Sequence, residues 1–151
     1  MKTTFKQLAL VAMGTVMALT VSGKETTRWV DLGLPSGVLW AKCNLGGARI
    51  PTVDEWRELY KNTTVKLIKQ NGVNGLIFTA PNGNSIFLPA AGSRSGTMLN
   101  RVGSHGYYWS SSLHPSDMKC AWSYRFDRWD KGMYPDFRYA GYPIRPVRSA
   151  S

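Results

Sequence analysis

The stretch "AWSYRFDRWDKGMYPDFRYAG", residues 121–141, begins with a regular alternation and continues without one. Aromatic and polar residues alternate over its first part: Trp122, Ser123, Tyr124, Arg125, Phe126 and Asp127. A period of two is typical of a half-buried strand, so the aromatic side chains are predicted to face the core and the polar ones to face outward. Residues 128–141 lack this period, and we predict a loop that continues the outward surface.

One helix is clearly marked upstream, in "RIPTVDEWRELY", residues 49–60. Thr52 and Glu55 have the spacing of a capping box directly after Pro51. Apolar residues then recur at helical spacing on one face: Val53, Trp56, Leu59 and Tyr60. The sequence therefore predicts an amphipathic helix that starts after Thr52 and buries this face in the core.

The rest of the chain has the marks of short strands. "RWVDLGLPSGVLWAKCNLGG" predicts two strands around a turn at 35–37, and "GLIFTAPNGNSIFLPAAG" predicts a hairpin around 81–84. "GYYWSSS" predicts another strand with the Trp109 side chain packed in the core, whereas "GSRSG" at 92–96 predicts a flexible loop. In "GYPIRPVR", Pro143 and Pro146 restrict the chain to an edge or irregular strand. The expected fold class is α+β, with mostly short antiparallel strands and one amphipathic helix.

The N-terminal residues are typical of an export signal. Lys2 and Lys6 precede the apolar run "LALVAMGTVMALTV", and small residues follow at 21–23. We predict a signal peptide at 1–23 and a single mature domain at 24–151, located in the periplasm, at the cell surface or outside the cell. No membrane span is expected after signal removal; the alternative is a retained N-terminal anchor helix.

Despite the positive charge, we expect no nucleic-acid partner for an exported chain. The formal net charge is +10, but Lys and Arg are scattered singly or in pairs, without a recognisable nucleic-acid motif. Cys43 and Cys120 lie far apart in the sequence. For an exported chain a disulfide, buried free thiols and a reactive thiol all remain open.

Motifs for catalysis and metal binding are missing from the sequence. His105 and His114 are isolated among polar residues and are predicted to be solvated loop histidines, so a three-histidine metal site is excluded. The sequence contains no nucleophile elbow, P-loop or dinucleotide fingerprint, and "SSS" at 110–112 has no base nearby. We expect no catalytic residue, metal or cofactor, and a protein that is not an enzyme.

Several phrases together resemble one family: "WVDLGLPSGVLWAKCNLGG", "RIPTVDEWRELY", "NGNSIFLPAAG", "GYYWSSS" and "IRPVR". In this order they are similar to the Fibrobacter succinogenes major paralogous domain, a family of exported proteins similar to C-type-lectin-like folds. The resemblance implies a helix-supported, mostly antiparallel sheet with a loop-rich C-terminal face. The chain departs from the family between Gly46 and Arg49, where members usually carry a longer insert. The Glu-Pro-Asn and Trp-Asn-Asp motifs of calcium-dependent lectins are also missing, so calcium-dependent sugar binding is not implied.

The resemblance further implies a recognition function for the C-terminal half. Related lectin-like proteins are diversified by retroelements that mutate adenines, and the segment after "GYYWSSS" has the varied residues of such a face; drift within a large family and a fixed surface for one ligand are the alternatives. We predict an exported ligand-binding domain for a protein or glycan at a cell surface; the alternative is an envelope or dietary glycan-processing enzyme or its accessory module. The predicted ligand-binding residues are His105, Tyr107, His114, Ser123, Arg125, Asp127, Arg128, Asp130, Tyr134, Asp136, Arg138 and Tyr139.

Overall fold

A computed structural model describes residues 28–44 and 48–150 of the chain. Within them, one helix and eleven strands follow one another in the order β1 (Trp29–Asp31), β2 (Val38–Ala41), α1 (Val53–Asn62), β3 (Thr64–Gln70), β4 (Val73–Thr79), β5 (Ser85–Pro89), β6 (Ser93–Ser95), β7 (Met98–Asn100), β8 (Gly106–His114), β9 (Asp117–Phe126), β10 (Lys131–Phe137) and β11 (Val147–Ser149). The predicted export signal at 1–23 and the shortened insert at Gly46 and Gly47 lie outside the described residues.

The strands form small antiparallel sheets. Their orders are β1-β2-β11, β3-β4-β5, β6-β7 and β10-β9-β8, and every pair of neighbouring strands is antiparallel. For the residues that the structure describes, the predicted α+β class with mostly antiparallel strands and one helix is thus confirmed. Strand β11 lies at the edge of its sheet, as the prolines of the C-terminal segment predict.

The helix start follows the sequence pattern closely. The Thr52 hydroxyl accepts from the Glu55 amide at 3.2 Å, and the Glu55 carboxylate accepts from the Thr52 amide at 2.8 Å, which confirms the capping box. The "SSS" segment supports the same turn, because Ser112 Oγ accepts from the Val53 amide at 3.0 Å. Partial burial opposes ionisation of Glu55, but hydrogen bonds from Arg49 and the Thr52 amide hold the pKa of Glu55 below its usual range.

The core is built around Trp56 of α1. Its indole stacks on Tyr124 with 5.1 Å between ring centroids and meets Trp40 edge-on at 4.9 Å, while Tyr108 lies 6.1 Å away. These four side chains are buried and join the helix to β2, β8 and β9. Burial also raises the pKa of the Tyr124 hydroxyl. The prediction that the helix face enters the core is confirmed by Trp56 and Leu59, both fully buried.

Two predicted turns are confirmed and one hairpin was missed. The turn at 35–37 joins β1 to β2, and the turn at 81–84 joins β4 to β5. The missed strand is β3, which pairs with β4 around Asn71 and Gly72. Both turn residues have positive φ, 50° and 81°, as a tight hairpin of this kind requires. The Asn-Gly pair was the sequence signal for this hairpin.

Two segments predicted to be loops are strands. "GSRSG" at 92–96 contributes β6, which pairs with β7. Within 128–141, β10 pairs with β9 over seven residues, from Lys131 opposite Phe126 to Phe137 opposite Cys120. The sequence did not indicate β10 because this segment lacks a regular alternation and contains Pro135. An edge strand tolerates proline because one of its sides makes no ladder hydrogen bonds.

Arg145, in the "IRPVR" phrase, is buried and forms hydrogen bonds to two sheets. Its guanidinium donates to the Ala41 carbonyl at 3.0 Å, at the end of β2, and to the Phe87 carbonyl at 2.9 Å, in β5. Burial lowers the pKa of Arg145, while the neighbouring Tyr108 hydroxyl opposes that shift. Sequence pattern gave no reason to expect a buried arginine here, since arginine is rarely fully buried.

The two cysteines are free thiols. Cys43 is exposed and Cys120 is half-buried, so neither a disulfide nor a pair of fully buried thiols is present. Partial burial and the Asp117 carboxylate raise the pKa of the Cys120 thiol, which disfavours its thiolate. No helix in the described part of the chain has the length and apolar character needed to cross a membrane.

Candidate functional site

The candidate site lies on the β10-β9-β8 sheet, on the side facing away from α1. The strand register brings together the residues of that face: Tyr107, Trp109, Ser123, Arg125, Gly132, Tyr134 and Asp136. Tyr124 and Phe126 point to the opposite side and are buried, as their alternation predicts. Trp122 is only half-buried, between His114 and Arg57, so its prediction as a core residue was wrong.

Trp109 was also predicted to lie in the core but instead supports the outward face. It is half-buried and stacks on Tyr142, with 4.7 Å between centroids. Tyr142 also stacks on Tyr107, at 4.9 Å. The C-terminal segment therefore closes one side of this face with an aromatic ring that sequence reasoning had not selected.

Arg125 is held at the centre of this face by charge and by aromatic contact. Its Nε donates to the Asp136 carboxylate at 2.6 Å, and a terminal nitrogen contacts the other carboxylate oxygen. The guanidinium also lies 5.7 Å from the Tyr107 ring centroid and 5.5 Å from that of Tyr134. These contacts fix the arginine in one orientation in the absence of a ligand.

Two predicted ligand contacts are buried beneath Arg125. Ser123 is fully buried and donates to the Asp136 carboxylate, which is itself buried. Ser123 therefore lies on the predicted face but is not exposed there, because the long Arg125 side chain runs over it to reach Asp136. Ser123 and Asp136 are therefore not direct ligand contacts; they position Arg125. Tyr107 is as buried as Asp136, although its side chain lines the cleft described next.

A polar cleft of about 210 Å³ opens where β8, β9 and the β9–β10 turn meet. Its lining contains six of the twelve predicted residues together with Arg101 and Phe126: Arg101, His105, Tyr107, Arg125, Phe126, Asp127, Asp130 and Tyr134. Arg101 donates to the Tyr107 hydroxyl at 3.0 Å, and Tyr134 donates to the Asp130 carboxylate. That acceptor raises the pKa of Tyr134. The polar side chains of the cleft are thus largely positioned by one another.

Asp127 organises the turn at the edge of the cleft. One of its carboxylate oxygens accepts from the amides of Trp129 at 2.6 Å and Asp130 at 2.9 Å. The other lies 3.6 Å from His105 Nε2. The two backbone amides, aided by His105 and Arg101, lower the pKa of Asp127. His105 is consequently part of this cluster and is not the isolated, solvated histidine that was predicted.

A second depression, the Trp129 groove, adjoins the polar cleft and has a volume of about 520 Å³. It shares His105 and Asp127 with the cleft and is otherwise lined by Leu67, Asn74, Ala90, Gly103, Ser104, Arg128 and Trp129. Arg128 thereby becomes the seventh predicted residue in this region. The cleft and the groove form one composite surface, polar on one side of the His105–Asp127 pair and more apolar on the other.

Three predicted residues lie at the other end of the same sheet. His114 pairs with Asp117 at the far end of β9, and Arg138 and Tyr139 follow Phe137, which pairs with Cys120. His114 is half-buried in β8 with its ring centroid 5.2 Å from that of Trp122, so it is not the solvated loop histidine that was predicted. From Cys120 to Phe126 the strand advances roughly 20 Å. A ligand in the polar cleft would therefore have to be extended to contact them, and they are not part of this site.

Arg101, Trp129 and Tyr142 are the residues that sequence reasoning missed. Arg101 has a positive φ of 57°, rare for a residue with a side chain, and the turn signals beside it were Asn100 and Gly103. Trp129 interrupts a polar run between Arg128 and Asp130, and an unpaired aromatic in a polar turn was the signal for an exposed ring.

Within residues 28–44 and 48–150, no group of three or more His, Cys, Asp and Glu side chains is placed to hold a metal ion. The chemistry available in the cleft consists of hydrogen bonding, charge and aromatic contact. Compared with known protein families, with curated proteins and with solved structures, the chain has no match.

Proposed function

We propose that this chain is an exported, non-enzymatic recognition domain with a C-type-lectin-like fold, which binds a protein or glycan ligand at a cell surface through the polar cleft and the Trp129 groove. The observation that carries the proposal is the convergence of seven predicted residues on this composite surface. Five of them come from the turn and strands on either side of Asp127, and the other two are Tyr107 in β8 and His105, which directly precedes that strand. The helix-supported antiparallel sheets are compatible with the lectin-like part of the proposal.

The pre-organisation of Arg125 supports binding as the role of this surface. Its contacts with Asp136, Tyr107 and Tyr134 exist without a ligand, so little side-chain entropy would be lost when one binds. Arginine and tyrosine are also the side chains that most often dominate recognition interfaces. The cleft thus offers donors and aromatic faces in a fixed arrangement.

Diversification by a retroelement is the more specific version of this function. It is supported by the variety of side chains on one exposed surface, while the buried Ser123 and Asp136 would have to stay compatible with Arg125. A reverse transcriptase gene beside this gene, with a near-repeat of its 3′ end differing at adenines, is the expected finding. If the neighbouring DNA contains neither the reverse transcriptase gene nor the near-repeat, diversification is rejected. The recognition function is then tested by ligand binding alone.

The binding test uses the full chain on an array of glycans and cell-surface proteins. We expect at least one ligand, with an affinity that falls about tenfold or more, equal to about 1.4 kcal/mol, in Arg125→Ala and in Tyr134→Phe. Tyr134→Phe keeps the ring and removes only the hydroxyl that donates to Asp130. The matched control is Arg57→Ala, since Arg57 also pairs with a carboxylate and lies over an aromatic ring, but on α1.

Two outcomes would contradict the proposal. One is a ligand that binds native protein, both cleft variants and Arg57→Ala equally well while circular dichroism shows all four folded. The other is the absence of any ligand on the array. Turnover of a glycan by the purified chain would replace the recognition role with the enzymatic alternative.

A further inference from the structure

Trp129 is a strongly exposed tryptophan of the composite surface and lies at the tip of the β9–β10 turn. Its side chain is 80% exposed, although burying a large aromatic ring is strongly favourable. The Arg128 guanidinium lies 4.2 Å from the ring centroid and so occupies one face of the indole. The ring also lines the groove, which makes it available to a ligand there.

Hydrogen bonds close the turn backbone that carries this ring. Asp127 accepts from the Trp129 amide at 2.6 Å, and the Asp127 amide donates to the Asp130 carbonyl at 2.9 Å. These bonds close the turn on both sides of residue 129. The turn backbone is therefore closed before a ligand arrives, and a ligand that used the exposed indole as a stacking platform would not have to order the turn first.

Polar groups of several kinds border the platform. Asn74 donates through its amide nitrogen to the Gly103 carbonyl at 2.9 Å, which leaves its side-chain oxygen available as an acceptor. Ser104 Oγ lies 2.9 Å from His105 Nδ1, and His105 Nε2 lies 3.6 Å from Asp127. A ligand above the groove would thus meet an amide, a hydroxyl, an imidazole and a carboxylate within one surface.

The charges of the composite surface are balanced. Three arginines and three aspartates lie in it or directly beneath it: Arg101, Arg125, Arg128, Asp127, Asp130 and Asp136. Asp136 neutralises Arg125, and Asp127 is stabilised by two amides and by His105. A site with this balance provides little net attraction for a charged ligand, despite the positive charge of the whole chain.

We propose, on the basis of the recognition function above, that the ligand is a neutral saccharide which stacks a sugar ring on Trp129 and hydrogen-bonds to the polar border of the groove. A pyranose ring has an apolar C–H face surrounded by hydroxyl groups, which matches an indole bordered by donors and acceptors. The groove volume of about 520 Å³ lies within the range of about 300–1,000 Å³ that is usual for small-molecule sites.

The test measures binding of the full chain to soluble mannan, xyloglucan and mixed-linkage glucan by isothermal titration calorimetry, with polygalacturonate and heparin as acidic probes. We expect a neutral polysaccharide to bind, with an affinity about tenfold lower in Trp129→Ala and largely retained in Trp129→Tyr. Its affinity is expected to change little with salt, because exposed charges are screened at high ionic strength and contribute little here.

Met118→Ala is the control for the loss of an exposed apolar side chain. Met118 is 75% exposed and lies at the other end of β9, roughly 25 Å along the strand from Phe126. Since neither Trp129 nor Met118 is buried, both variants are expected to fold, and circular dichroism checks this.

The saccharide inference is overturned by three results: no neutral probe binds, neutral binding is unchanged in Trp129→Ala, or only the acidic probes bind and lose affinity steeply with salt. Its failure is separable from that of the recognition function. A protein ligand that is lost in Arg125→Ala and unaffected in Trp129→Ala would leave the cleft as a recognition site and reject the saccharide.

Discussion

Arg125 on β9 and Asp136 on β10 form a two-point salt bridge that runs over the buried Ser123. Asp136 is buried, whereas the Arg125 side chain is 35% exposed and reaches into the polar cleft. A buried carboxylate thus orients a half-buried guanidinium, which joins the interior of the sheet to its candidate binding surface.

Asp136→Ala removes the acceptor for Arg125 and for the Ser123 hydroxyl. We expect a loss of about 2 kcal/mol in the free energy of unfolding, less than for a fully buried ion pair because solvent reaches Arg125. Urea denaturation followed by tryptophan fluorescence measures it. Asp54→Ala is the control, since the exposed Asp54–Arg57 pair should contribute less than about 1 kcal/mol. Equal losses in the free energy of unfolding for the two variants would show that burial of Asp136 does not increase its contribution to stability.

Gly106→Ala is expected to destabilise the fold because Gly106 lies directly against Phe126. A Cβ at Gly106 would be 2.0 Å from the Phe126 ring, so the buried ring would have to move. The expected loss is about 2 kcal/mol, measured by thermal unfolding. Gly132→Ala is the matched control on β10, where a Cβ would lie 3.6 Å from the Tyr134 ring, an ordinary contact. A stable Gly106→Ala variant would be inconsistent with this packing.

Arg145→Lys tests the hydrogen bonds by which Arg145 joins β2 to β5. A lysine lacks the planar fork that reaches the Ala41 and Phe87 carbonyls together, so at least one buried acceptor is expected to lose its donor. We expect a loss of about 2 kcal/mol in urea denaturation. Arg148→Lys is the control, because Arg148 is exposed on β11 and lies 4.9 Å from the Trp29 ring centroid. If Arg145→Lys were as stable as Arg148→Lys, the hydrogen bonds of Arg145 to the two carbonyls would make no contribution to stability.

The capping box predicts a specific acid dependence of stability. The folded-state pKa of Glu55 lies below its ordinary value of 4.5, so its carboxylate stabilises the fold above pH 4.5 and this contribution is lost as the pH falls through the lowered pKa. Glu55→Gln should therefore be less stable than the native chain at neutral pH and approach it in acid. Urea denaturation across this range measures the difference, and a pH-independent difference would contradict the assignment.

Thiol labelling distinguishes the two cysteines. Because both are free, Ellman's reagent is expected to find two thiols in the denatured chain without any reductant. In the native chain Cys43 should react first, since it is exposed and the pKa of the half-buried Cys120 is raised. Cys43→Ser should remove the fast phase. A chain with no titratable thiol in denaturant would mean that the cysteines are bridged.

Local sequence patterns predicted the elements whose signals lie within a few residues. The capping box at Thr52 and Glu55 and the turn at 81–84 depend on short-range hydrogen bonds and backbone conformations, so the sequence indicated them correctly. Strand β10 was missed because its pairing with β9 stabilises a segment that contains Pro135 and lacks alternation. Pairing between strands is a tertiary contact, and it overrides weak local preference.

The candidate site divides in the same way. The alternation at 122–127 determined which side chains share a face, because successive residues of a strand point to opposite sides. It did not determine which of them reach solvent: Ser123 and Arg125 share a face, yet Arg125 bends over Ser123 to meet Asp136. The sequence by itself determined the α+β class, the helix and its buried face. Only the tertiary structure brought Arg101, His105 and Trp129 to the surface that contains Arg125. These residues meet where loops from separate strand pairs converge, and a local sequence pattern carries no information on which loops converge.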